Sequence, residues 1–104
     1  MQIVFKRDIA DQLKERYTVL ELETFIVDGI ALEAFCVVPA EKLAFTDLNE
    51  LNINIAAHNV FLSALKNKDH DLCMAMHKDL LGKFGGELDS FYDAIAERII
   101  KVKA

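Results

Sequence analysis

His70, Cys73 and His77 are the residues whose types and spacing come nearest to a reactive site in this chain. Separated by three and four positions, they share one side of a helix, within roughly 60° of each other at about 100° per residue. Imidazole and thiolate are ligands that zinc and copper prefer, and three of them with a water would resemble an open catalytic site. His58, earlier in the chain, can supply a fourth ligand. The same residues have a structural account. Cys73 sits among Leu72, Met76 and Leu80, where a free cysteine behaves as a small apolar side chain. Cys73 and His77 also have the spacing of a thiolate–imidazolium pair, yet nothing in the sequence supplies an oxyanion hole.

Other reactive groups are weaker candidates. Glu21, Glu23 and Glu33 are carboxylates in an apolar stretch, where burial would raise their pKa and suit acid–base work. Strand alternation assigns Glu21 and Glu23 to one face and Glu33 to the other, so no converging pair is expected. Gly82-Lys83-Phe84-Gly85-Gly86 lacks the Walker A and dinucleotide patterns, and Glu87 and Asp89 would repel a phosphate. It reads as a helix end and a turn. Ser63 and Ser90 have no strand–turn–helix elbow around them. The residues lean against an enzyme.

The elements that must carry these groups are legible in outline. Ile3-Val4-Phe5 can form a short strand, and Asp8 is placed to cap a short helix with Ile9, Leu13 and Tyr17 as its apolar stripe. Thr18 to Val27 and Ile30 to Val38 are β-branched and aromatic-rich runs separated by Asp28-Gly29, which suits a type I′ hairpin turn. The two-residue loop predicts Val27 opposite Ile30, Phe25 opposite Leu32, Glu23 opposite Ala34 and Glu21 opposite Cys36. Both faces of this hairpin are then largely apolar, whereas a hairpin covered on one side should show a polar second face.

Pro39 ends the hairpin. Asp47 and Glu50 resemble a capping box opening a long helix to about Lys66. Leu48, Leu51, Ile55, Leu62 and Leu65 form its main stripe around His58, and Ile53, Ala57, Val60 and Ala64 form a second strip. A rival reading makes Leu51 to Ile55 an alternating strand. Asp69 caps a further helix ending near Gly82, with Leu72, Cys73, Met76, Leu80 and Leu81 as its apolar positions. The last helix, Leu88 to about Lys101, lines up Leu88, Phe91, Tyr92, Ile95, Ile99 and Val102, with acids first and bases last as the helix dipole prefers.

The 104 residues fit one domain, 1–104, and an apolar fraction of 53% is ample for a core. A net charge of −5 argues against nucleic acid, because Lys66, Lys68, Lys101 and Lys103 alone make no basic face. No apolar run approaches the roughly 18 residues of a membrane span, and no leader is evident at the start. Two cysteines, Cys36 and Cys73, make no disulfide framework, so a cytoplasmic protein with reduced thiols is expected.

The fold expected is α+β: an antiparallel β-hairpin, with a short third N-terminal strand in prospect, and three to four packed helices. The function expected is a non-catalytic protein–protein interaction module, a homodimer using the apolar hairpin through Phe25, Phe35, Leu32 and Val37, with a further protein partner conceivable. The alternative is a small metal- or ligand-binding protein built on His70, Cys73, His77 and His58, with zinc or copper as the metal.

Overall fold

The Asp28-Gly29 pair does what its chemistry permits. Both residues take positive φ, 52° and 79°, as a type I′ turn requires. In the computed structural model, which describes residues 2–103, this turn joins β2 (Thr18–Val27) to β3 (Ile30–Val38). β1 (Gln2–Val4) pairs antiparallel with the other edge of β3, so the sheet order is β1-β3-β2. The fold is α+β, with a three-stranded antiparallel sheet and helices, as the sequence leads one to expect. β1 and β2 are therefore parallel to one another, with β3 between them. Helix α1 (Arg7–Leu13) connects the two and packs against β3 and β2.

The register near the turn is the one expected, with Val27 opposite Ile30 and Phe25 opposite Leu32. Farther on it shifts, because Glu21 faces Phe35 and Leu20 faces Cys36. Leu22 and Glu23 together oppose Ala34, which is a β-bulge of two residues against one. The expected pairs Glu23–Ala34 and Glu21–Cys36 are corrected by this bulge. An uninterrupted ladder would set Glu21 and Glu23 on the same face as Ala34, Cys36 and Val38, all of them buried. The extra residue instead aligns Leu20 and Leu22 with that apolar face and turns Glu21 to the face of Glu33 and Phe35. Desolvating a carboxylate costs far more than breaking one ladder position, so the bulge wins.

Helix α1 begins at Arg7, after Lys6 as its cap residue, and Asp8 lies inside the first turn rather than at the N-cap. Its buried position is Ala10, whereas Ile9 and Tyr17 are exposed. The expected Ile9, Leu13 and Tyr17 stripe is thus not the buried face. Tyr17 also lies beyond the helix end.

The chain falls into two units, the sheet unit ending at Phe45 and a helical unit beginning at Thr46. The helical unit contains α2 (Leu48–Lys66), α3 (His70–Leu80) and α4 (Asp89–Lys103). The Asp47 carboxylate accepts the Glu50 N–H at 2.7 Å, and Asp69 accepts from Leu72 N–H at 3.3 Å, as capping predicts. Leu51 to Ile55 is helical, so the strand reading fails. The buried face of α2 is Asn54, His58, Phe61 and Leu62, with Ala64 beside it, while Leu48 is exposed. α4 buries Phe91, Tyr92, Ile95 and Ile99 as its periodicity predicts, with Ala96 added beside them, and only Val102 leaves the stripe.

Between α2 and α3, Lys68 takes φ 57° and the Asp69 N–H donates to the Ala64 carbonyl at 2.9 Å. This is a Schellman closure with lysine in the position that glycine favours. After α3, Gly82 at φ 80° turns the chain, and its N–H donates to the Asp89 carboxylate at 2.8 Å. The Gly82–Gly86 segment is thereby a helix end and turn, closed by the first acid of α4.

Candidate functional site

The three helical candidates project differently from α3. Cys73 is fully buried, and its S–H points at the Phe61 carbonyl, 3.9 Å away on α2. Burial raises the Cys73 thiol above its ordinary value, and the nearby Asp69 carboxylate adds to the effect. Such a thiol is poorly nucleophilic, because the thiolate is the reactive form. His77 turns to α4, where its Nε2 lies 2.8 Å from Asp93 Oδ1. His70 opens α3 and is half-buried.

His58 occupies a different place. It is fully buried, and a 2.7 Å hydrogen bond joins its Nδ1 to the Tyr92 hydroxyl on α4. Phe84, Phe91 and Tyr92 pack around the imidazole with ring centroids 5.8–6.4 Å away. Phe61 adds an edge-on contact to Tyr92 at 5.2 Å. Aromatic pairs of this geometry contribute about 0.5–1.5 kcal/mol each beyond burial. His58 is thus a polar member of the helical core. One turn before it, Asn54 is buried with its amide nitrogen lacking a hydrogen-bond partner. Among the described residues, no three His, Cys, Asp or Glu side chains gather as a metal ion would require.

The hairpin carboxylates meet a residue that spacing did not single out. Arg7, at the start of α1, hydrogen-bonds Glu33 and lies 3.8 Å from Glu21. Its guanidinium stacks 5.1 Å above the Phe35 ring. The hydrogen bond and charge of Glu33 raise the Arg7 pKa further above its already high ordinary value. The bulge makes this possible, since it carries Glu21 to the face of Glu33. The expectation that these two glutamates diverge is therefore corrected: they converge, on an arginine. Arg7 neutralises one charge at an exposed site, which fits a pinned α1 better than acid–base chemistry, where a carboxylate needs to be freed of such a partner. The signal was an arginine at the first position of the crossover helix, which the sheet topology alone makes meaningful.

The candidate interaction residues divide along the hairpin. Phe35 and Val37 are buried, at 2% and 5% exposure, and belong to the fold's own interior. Phe25 is exposed and Leu32 half-buried, and both lie near the turn. There Phe25, Val27 and Ile30 are 42%, 50% and 63% exposed on the Leu32 face, while Ile26 is 70% exposed on the other. Among the described residues β2 is an edge strand along its whole length, and β1 pairs with β3 at Phe35, Cys36 and Val37, away from the turn. The turn-proximal half of the hairpin is consequently a two-stranded ribbon with both edges open. Between Thr24 and Leu32 its sole charged side chain is Asp28.

No helix among the described residues is long and apolar enough to cross a membrane. No protein-family model matches the chain, and neither a curated protein nor a solved structure matches it.

Proposed function

We propose that the chain is a non-catalytic protein–protein interaction module of the cytoplasm that forms a homodimer through its β-hairpin. The observation that carries this reading is the turn-proximal ribbon, where Phe25, Ile26, Val27 and Ile30 stand in solvent and both edges are open. Two strands alone are marginal in water, and an exposed apolar edge is a template for another chain. Each such side chain contributes roughly 1.5–3 kcal/mol when fully buried. Two copies of a chain with net charge −5 repel each other over most of their surface. The ribbon, with one charged residue in nine, is where that repulsion is least.

Phe25→Asp tests the reading, because it places a carboxylate at the exposed tip of the ribbon, outside the buried stretch from Ala34 to Val38. Sedimentation equilibrium should show a wild-type dimer and a variant whose dissociation constant is raised about tenfold or more. Equal association by both proteins would refute the role of the hairpin.

A further inference from the structure

The edge of β2 changes character at the bulge. Natural sheets guard an open edge with bulges and charged side chains. β2 has both where Glu21, Leu22 and Glu23 lie, and neither from Thr24 to Val27, four successive exposed and uncharged residues. On the other margin of the ribbon, β3 bears Glu33, held by Arg7 from the start of α1. The unguarded stretch is thus confined to the β2 side.

Its backbone states what fits there. In a hairpin closed by two residues the flanking pair exchanges both hydrogen bonds, and such pairs alternate with pairs that exchange none. Val27–Ile30 and Phe25–Leu32 are then the bonded pairs, with Ile26–Ala31 and Thr24–Glu33 the non-bonded ones. The N–H and C=O groups of Thr24 and Ile26 therefore point away from β3. Such a row of peptide groups matches an extended chain, whose own outward groups repeat at the same spacing.

We infer that the occupant is the same segment of a second copy, Thr24 to Ile26 pairing antiparallel with its counterpart about a two-fold axis at Phe25. The inference rests on the self-association proposed above. Three constraints fix the register. Antiparallel bonding sets outward residues against outward residues, so within the unguarded stretch Thr24 and Ile26 meet one another or themselves. Thr24 against Thr24 brings the Leu22–Glu23 bulge into the ladder, and Ile26 against Ile26 draws in Asp28, whose φ of 52° is not that of a strand. Thr24 against Ile26 uses both residues of both copies and stays between bulge and turn. Glu23 then lies opposite Val27 and no carboxylate opposes another, whereas a slip of one residue sets Glu23 against Asp28. Phe25 meets its counterpart in a non-bonded pair, where Cα atoms approach to about 4.5 Å and aromatic pairs fit. The contact is isologous and consumes both β2 edges.

Backbone and side-chain variants test this separately. Ile26→Pro removes an outward N–H and leaves the hairpin's own bonded pairs in place. Light scattering after size exclusion should show its dimerisation weakened about tenfold or more, with Ile26→Thr, which keeps the N–H, close to wild type. Introduced cysteines read the register, since Cys36 and Cys73 are fully buried. Under mild oxidation Phe25→Cys should form a disulfide dimer about tenfold faster than Thr24→Cys or Ile26→Cys alone, because Cα atoms must lie within roughly 4.4–6.8 Å. A mixture of Thr24→Cys and Ile26→Cys should cross-link as well. If Phe25→Asp abolishes a dimer that Ile26→Pro leaves intact, edge pairing is overturned and hairpin self-association stands. Equal cross-linking at all three positions also overturns the pairing, and it decides the matter if circular dichroism shows Ile26→Pro unfolded. A wild-type monomer at every concentration overturns both readings.

Discussion

Cys73 and Tyr92 show how side-chain chemistry is spent on the helical core. The Cys73 thiol is raised by burial first and by Asp69 second, so the folded protein disfavours its thiolate. With a folded pKa above the unfolded one, the unfolded chain ionises first as pH rises. Stability from this group is complete below the ordinary thiol range near pH 8.5 and is lost as pH climbs through the raised value. Native Cys73 should resist iodoacetamide, and Cys73→Ala should flatten the alkaline fall in stability followed by denaturant titration from pH 7 to 10. Retention of the full alkaline slope would contradict the assignment. Tyr92→Phe removes the hydroxyl from His58 Nδ1 and should cost about 1–2 kcal/mol in the same titration at pH 7, because a polar atom loses its partner in the core. His58 stood in the middle of the expected α2 stripe, yet its burial against Phe84, Phe91 and Tyr92 was invisible, since nothing in spacing says which helix faces which. Phe61 was missed for a related reason. α2 is apolar on several sides, and the leucines Leu48, Leu51, Leu62 and Leu65 formed a rival stripe that periodicity could not reject.

The bulge is the element that most alters the sequence-based picture. The turn, both strands and the pairing down to Phe25–Leu32 could be read from Asp28-Gly29 and its flanks. The bulge could not, because the six apolar residues of the ten in β2 fall equally on odd and even positions and alternation there has little to contradict. One clue was present: an unbroken register put Glu21 and Glu23 with Ala34 and Cys36. Deleting Glu23 would leave Glu21, Leu22 and Thr24 opposite Phe35, Ala34 and Glu33, a regular ladder with every face unchanged. This deletion should shift stability by no more than about 1 kcal/mol, whereas a one-residue slip elsewhere would flip the strand. Thermal unfolding measures it, and collapse of the fold would show that the bulge has another purpose. At the α2–α3 junction, Lys68→Gly relieves a lysine from left-handed backbone at φ 57° and should stabilise by about 0.5–1 kcal/mol. A neutral or destabilising change would argue that the Lys68 side chain makes a compensating contact.

At the scale of the whole molecule, much of the apolar content that composition records stays on the surface, and it is patterned. The ribbon tip and the outer side of α2 share two properties, exposed aliphatic side chains and very few charges. The sequence made the first visible as a two-faced hairpin. It showed the second as a flatter strip of Ile53, Ala57, Val60 and Ala64, without indicating that Ile53 and Val60 face solvent. Of the residues first considered for an interface, Phe25 and Leu32 lie at the tip, while Phe35 and Val37 serve the interior. That division depends on where β1 stops, a tertiary fact that local pattern does not encode. The histidine–cysteine spacing on α3 was equally real as a pattern, and packing sends Cys73 to α2 and His77 to α4.

The central claim is self-association through the hairpin, and native mass spectrometry of untagged protein purified without chelators tests it most directly. Across a dilution series the account predicts a metal-free dimer in equilibrium with monomer, shifted to monomer by Phe25→Asp. A monomer at every concentration, or a species carrying stoichiometric zinc or copper, would contradict it.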